Sequence, residues 1–116
     1  MTDYNLDRDV DIYLCGHNPR GETAPGDIFA NPGPYHDANN GARNFMIENR
    51  SGWDFHDTTK ETGLDQNNRK FSFAAVWENY DNDGDQDLFV ANDSGTKNLY
   101  PNELIKDGQR QPRPKF

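Results

Sequence analysis

The chain has 116 residues, of which 32% are hydrophobic, and its mean hydropathy is −1.14. Its formal net charge of −8 argues against a nucleic-acid partner, because phosphate backbones attract basic surfaces. No stretch approaches the ~20 apolar residues of a membrane helix, which argues against membrane insertion. Seven Phe, five Tyr and two Trp argue against a disordered tail. The length predicts at most one domain, with its polar excess in loops.

Residues 1–15 begin with the polar run DYNLDRDVD at 3–11 and continue into the apolar run IYL. The same pattern returns 76 positions later as NYDNDGDQD at 79–87, again directly before an apolar run. Four residues of the first copy are identical in the second: Tyr4, Asp7, Asp9 and Asp11. The chain is therefore predicted to contain an internal repeat, in which a polar loop leads into a β-strand.

Residues 16–42 are rich in Gly, Pro and Asn and show neither a helical nor a strand period. They are predicted to form a long loop insertion, and loops of this length are often functional. Cys15 directly precedes the insertion and ends an apolar run, so it is predicted to be a small buried core residue.

From residue 43 the pattern predicts short strands. Residues 45–48 and 53–58 are predicted to pair as a β-hairpin around a turn at 49–52. Residues 59–64 are predicted to be an irregular or single-turn segment that ends at Gly63.

A longer strand is predicted at 71–78, where both alternating sets of side chains are largely apolar. A strand of this kind is expected to be covered on both faces. Another strand is predicted at 88–92, and residues 98–102 (NLYPN) parallel the start of the hairpin. Residues 103–116 are predicted to be a polar loop leading into the next hairpin strand at Phe116.

The run at 79–87 has the spacing of a calcium-binding loop. Gly84 stands at the sixth position, where a tight loop needs a positive φ. Hard cations such as Ca²⁺ take about 6 to 8 oxygen ligands. The predicted ligands are the side chains of Asn79, Asp81, Asp83 and Asp87 and the backbone carbonyl of Asp85. An EF-hand is excluded because its twelfth position is Val90 and not Glu. A metal-free Asp/Asn/Gly turn remains the alternative.

The first copy offers the corresponding ligands Asp3, Asn5, Asp7 and Asp11. Arg8 stands where the second copy has Gly84. A weaker or distorted site is therefore predicted, which should also fray at the chain end.

Most of residues 43–102 and, less well, residues 3–15 resemble a known family, and on this resemblance 43–102 is one repeat unit and 1–15 is the end of a preceding blade. The runs NFMIENRSGWDFHDTTKETGL, FSFAAVWENYDNDGDQDLFVAND and NLYPN are similar to the FG-GAP or VCBS-type repeats of β-propellers, above all those of secreted proteins related to cartilage acidic protein that carry an ASPIC/UnbV domain. Integrin α-subunits share the loop pattern. The resemblance implies an all-β fold of four-stranded antiparallel propeller blades, here one to two blades of an incomplete propeller. It also implies structural calcium in both loops, with Asp9 among the ligands of the first.

The function expected from this resemblance is that of a calcium-binding, non-enzymatic module of a secreted or cell-surface protein, which mediates adhesion or binds an extracellular protein or glycan. Since a propeller needs about 4 to 8 blades, this stretch would belong to a longer propeller or associate with further copies. One alternative is a self-assembling blade that pairs edge to edge into rings or filaments. Another is part of an extracellular carbohydrate-processing enzyme, although no nucleophile elbow, HExxH or P-loop is present.

Overall fold

The computed structural model describes residues 1–17, 38–93 and 95–116, and every helix or strand within these ranges is a β-strand. The strands are β1 Ile12–Leu14, β2 Phe45–Asn49, β3 Phe55–Asp57, β4 Ser72–Glu78, β5 Asp87–Asn92, β6 Asn98–Tyr100, β7 Ile105–Lys106 and β8 Gln109–Arg110. They form two three-stranded sheets, β1–β2–β3 (the first sheet) and β4–β5–β6 (the second sheet), and a β7–β8 hairpin. All pairs are antiparallel. The predicted all-β class is confirmed, whereas four-stranded blades and a closed propeller are not seen in the described residues.

The strands lie close to where the sequence pattern predicts them. The predicted hairpin pairs as β2 and β3, although Trp53 belongs to its turn and not to the strand. The predicted strand at 71–78 is β4, and the loop at 79–87 leads directly into β5, as predicted. Most of the predicted insertion at 16–42, namely residues 18–37, lies outside the described residues.

The internal repeat extends to the pairing of the strands. β1 and β5 are related by 76 positions, and each pairs with the strand that follows it in the same register. The pairs of the first sheet are Ile12 with Ile47, Tyr13 with Met46 and Leu14 with Phe45. Those of the second sheet are Leu88 with Tyr100, Phe89 with Leu99 and Val90 with Asn98. The repeat seen in the sequence is therefore also a repeat of structure.

The two sheets pack face to face over a small core. Its fully buried side chains come from both sheets and the segments beside them: Tyr4, Met46, Leu64, Leu88 and Val90. The rings of Tyr13 on β1 and Trp77 on β4 meet edge to face, with their centroids 6.3 Å apart. One face of the first sheet therefore covers one face of the second, and burial of these side chains stabilises the fold.

Buried polar side chains form a hydrogen-bond network beside the small hydrophobic core. The Asn44 side chain accepts a hydrogen bond from the Gly16 amide (2.8 Å) and donates to Ser72 Oγ (2.9 Å). Ser72 in turn donates to Asn92 Oδ1 (3.0 Å). The network joins the entrance of β2 to β4 and β5, so polar contacts hold the two sheets together beside the core.

Two burial predictions are wrong. β4 is exposed along most of its length, since Phe73 is 77% exposed, Val76 is 52% exposed, and of its seven residues only Ser72 is buried. Cys15 is exposed as well, because β1 ends at Leu14 and the thiol lies beyond the strand pairing.

The segment 103–116 contains structure that was predicted to be loop. β7 and β8 form a hairpin whose two turn residues, Asp107 and Gly108, have φ values of 53° and 74°. An Asp-Gly pair with two positive φ angles is typical of a type I′ hairpin turn. Beyond it, the Glu103 amide donates to the Lys115 carbonyl (2.7 Å), as the Arg50 amide does to Asp54 beside β3. This match agrees with the predicted correspondence of Phe116 and Phe55.

No helix long and apolar enough to cross a membrane occurs in the ranges that the structure describes.

Candidate calcium-binding loops

The loop at 79–87 connects β4 to β5 and coils tightly. Asn82 and Gly84 have positive φ values of 64° and 108°. Within the coil, the Asp83 amide donates to Asp81 Oδ1 (3.2 Å) and the Asp85 amide to Asp83 Oδ1 (3.1 Å). Each of these two accepting carboxylates keeps a second oxygen that the loop's own amides do not use. The alternating acidic residues thus lie on one short coil, and their role as calcium ligands stays a prediction.

Asp87 closes the loop from the first position of β5, where it is 1% exposed. Its Oδ2 accepts the Tyr80 amide (3.1 Å) and its Oδ1 accepts the Asn102 amide (2.8 Å). Burial is the main reason that the pKa of this carboxyl is raised. Asp87 therefore joins the start of the loop to the segment after β6, a structural role that its position as a predicted ligand did not indicate.

Two oxygens of the loop are buried without a hydrogen-bond partner. They are Oδ1 of Asn79 and Oδ1 of Asp85. Asp85 is fully buried, and its other oxygen accepts the Ile105 amide from β7 (2.7 Å). Burial, together with the nearby carboxylates of Asp83 and Asp87, raises the pKa of Asp85 to about 6. Buried polar atoms nearly always have a partner, so this pair of oxygens calls for a cation or another donor.

The side chain of Asp85 was not among the predicted ligands, since only its carbonyl was assigned. The alternating pattern marks odd positions of the loop but does not reveal which side chains will be buried. The amide that holds Asp85 comes from Ile105 in the β7–β8 hairpin, which forms where the polar composition predicts a loop. A search for the Asp-Gly turn signal would have placed that hairpin.

The first loop, 3–11, repeats the hydrogen bonds of the second. The Tyr4 amide donates to Asp11 Oδ2 (3.2 Å), and the Asn49 amide to Asp11 Oδ1 (2.9 Å). The Asp9 amide donates to Asp7 Oδ1 (2.9 Å), as its counterpart does in the second loop. Burial raises the pKa of Asp11 to about 6. The two loops therefore share one backbone design.

Arg8 adopts a φ of 81°, in the same left-handed region as Gly84. Arg8 thus takes up the strained conformation that Gly84 has in the second loop, and the backbone keeps a positive φ at this position. A two-way backbone bridge between Thr2 and Asp11 also ties the loop's ends together. Whether the site binds calcium more weakly than the second stays a prediction.

Several predicted ligand oxygens of the first loop already accept hydrogen bonds from groups of the same loop. Asp3 accepts the Asp7 amide on one oxygen and the Arg8 amide on the other, each at 2.9 Å. The Asn5 side chain donates to Asp7 Oδ2 (2.9 Å). The first loop has none of the buried, unpartnered side-chain oxygens found in the second. The backbones of the two loops therefore follow the same path, but the loops differ in which side-chain oxygens remain without a hydrogen bond.

Over the described ranges, no three His, Cys, Asp or Glu side chains are gathered as a metal-binding group. The loop at 79–87 nevertheless fits a calcium ion by the chemistry of its donors, since all of them are the hard oxygens that Ca²⁺ prefers.

No family model, curated protein or solved structure matches this chain.

Proposed function

We propose that the chain is a calcium-stabilised, non-enzymatic structural module, and that residues 79–87 are its principal Ca²⁺ site. The observation that carries this proposal is the pair of buried oxygens without partners, on Asn79 and Asp85. They lie in a loop whose sequence also carries the carboxylates of Asp81, Asp83 and Asp87. A bound cation would satisfy both oxygens and neutralise the repulsion between neighbouring carboxylates, which an acidic turn without metal leaves in place.

In this proposal Asn79, Asp81, Asp83 and Asp87 supply side-chain oxygens, and Asp85 supplies its carbonyl together with its buried Oδ1. When bound, calcium supplies charge neutralisation and cross-links the loop. The chain's own residues hold the loop in position. Asp87 fixes the loop's two ends through amide hydrogen bonds, and Asp85 ties it to β7. The loop then acts as a rigid junction from which a binding surface for an extracellular protein or glycan is presented.

The test is thermal unfolding with about 10 mM CaCl₂ and again with excess chelator. Extracellular calcium modules have dissociation constants of about 10⁻⁴ to 10⁻³ M, so 10 mM ligand should stabilise the fold by about 1.4 to 2.7 kcal/mol. For a chain of this size the midpoint should rise by several degrees. Equal concentrations of MgCl₂ serve as the ionic-strength control.

The internal repeat offers a matched pair of variants. Asp81→Ala removes a predicted ligand from the second loop, and Asn5→Ala removes the residue at the same place in the first. Asp81→Ala should abolish most of the calcium-dependent shift, whereas Asn5→Ala should leave most of it. An unchanged midpoint in calcium, or equal losses in both variants, would contradict the assignment of 79–87 as the principal site.

A further inference from the structure

One face of the second sheet is an exposed apolar surface. Val76, Phe89 and Leu99 are direct cross-strand partners and therefore form a row across β4, β5 and β6. They are 52%, 38% and 49% exposed. We call this surface the Phe89 face. Exposed apolar rows of this kind mark interaction sites.

The repeat shows what covers the corresponding surface in the first sheet. The counterparts of Phe89 and Leu99 there are Tyr13 and Met46. Met46 is fully buried, and Tyr13 contacts Trp77 of the second sheet. The face that is exposed on the second sheet is therefore the one that is covered on the first, and its cover is another sheet of the same repeat.

The two loops show the same difference in burial between the first and the second copy of the repeat. Tyr4 in the first loop is fully buried, with its ring centroid 6.1 Å from that of Trp77. Its counterpart in the second loop, Tyr80, is 52% exposed. Both positions are therefore Tyr, but only the ring of Tyr4 is buried within the chain.

The opposite surface of the first sheet is also partly exposed. Ile12, Leu14, Phe45 and Ile47 share this surface, which we call the Ile12 face. The counterparts of Ile12 and Leu14 in the second sheet, Leu88 and Val90, are fully buried beneath the first sheet. On the Ile12 face, by contrast, Leu14 is 51% exposed.

A groove of about 400 Å³ runs along the Ile12 face beside the first loop. Its apolar lining includes Ile12, Val10, Trp53 and Phe55. Trp53 is 83% exposed. The groove gives this face a concave surface that a row of large side chains could fill.

We propose that a second copy of this chain docks its Ile12 face on the Phe89 face, repeating between chains the stacking that joins the two sheets within one chain. Each chain offers both faces, so the contact is head to tail. Such a contact generates either a closed ring or an open filament. It differs from edge-to-edge pairing because side chains, and not free backbone groups, form the interface. It does not depend on calcium binding.

The oligomeric state of the full chain tests this inference. It is measured by size-exclusion chromatography with light scattering and by sedimentation velocity. Protein concentrations up to about 1 mM are used, so that even weak association is detected. Assemblies larger than a monomer are expected both in calcium and in chelator. Phe89→Glu blocks one face and Leu14→Glu blocks the other. Because an unpaired carboxylate would be buried in the contact, each should weaken association by more than about 100-fold. Gln109→Glu adds the same charge on the separate β7–β8 hairpin and should change nothing.

Mixing the two blocked variants distinguishes this arrangement from a symmetric dimer. The Phe89→Glu chain still has an intact Ile12 face and the Leu14→Glu chain an intact Phe89 face. Each alone should be monomeric, while the mixture should give a one-to-one dimer and nothing larger. Circular dichroism checks that both variants fold, and Leu99→Glu replaces Phe89→Glu if the latter does not. A wild-type monomer at all concentrations, or assemblies that persist in both variants, would overturn the inference.

Discussion

Arg8 is the residue at which the two loops differ most clearly in backbone energetics. It holds a φ of 81°, where an ordinary L-residue is disfavoured by about 1–2 kcal/mol. Its side chain is exposed. Arg8→Gly should remove the conformational cost, but Gly loses about 0.5–1 kcal/mol more backbone entropy on folding. From the middle of both ranges, the net expectation is a gain of about 0.75 kcal/mol in the free energy of unfolding.

The assay for this prediction is thermal and urea unfolding in excess chelator, so that no cation contributes. A gain of that size should raise the midpoint by a few degrees. Arg8→Ala is the control, since it removes the side chain and keeps the strained backbone, and it should leave the midpoint close to that of the wild type. If Arg8→Gly is no more stable than Arg8→Ala, the strain argument fails.

Three further outcomes are expected. Asp87→Ala leaves two backbone amides without an acceptor, so it should destabilise the fold by about 2–6 kcal/mol even in chelator, where loss of a pure metal ligand would cost nothing. Met46→Ala should cost about 2–5 kcal/mol because Met46 is fully buried, while Leu99→Ala at the exposed counterpart should cost little when both are unfolded at low protein concentration. The hydrogen bond from Arg43 lowers the pKa of Asp65, so this pair stabilises the fold at neutral pH and its contribution is lost as pH falls through the lowered pKa. Arg43→Gln should therefore flatten the acid limb of a pH–stability curve measured by urea unfolding, and an unchanged limb would rule out this role.

The strands and the repeat could be predicted from the sequence because their signals are local. Alternating apolar residues mark β4, and the recurring Asp-rich runs mark the loops before β1 and β5. The hairpin β7–β8 had a local signal as well, Asp107-Gly108, which was outweighed by the polar composition around it.

Burial could not be predicted in the same way, since it depends on which segments meet. The pattern of β4 indicates two buried apolar faces, but most of the strand is exposed. The apolar run before Cys15 says nothing about where the strand pairing stops. For the candidate site, the ligand spacing of 79–87 was readable, whereas the buried oxygen of Asp85 depends on the Ile105 amide, which lies 20 positions away.

The two sheets keep one register in spite of very different connectors. Phe45 follows Leu14 by 31 positions, whereas its counterpart Asn98 follows Val90 by only 8, and yet both pairs are in the same alignment. The extra 23 positions thus leave the strand alignment unchanged, because the buried faces and the Asp anchors set it. The β5–β6 connector is accordingly a grafting point. A foreign peptide of similar length inserted there should be displayed by the scaffold without shifting a single strand pair.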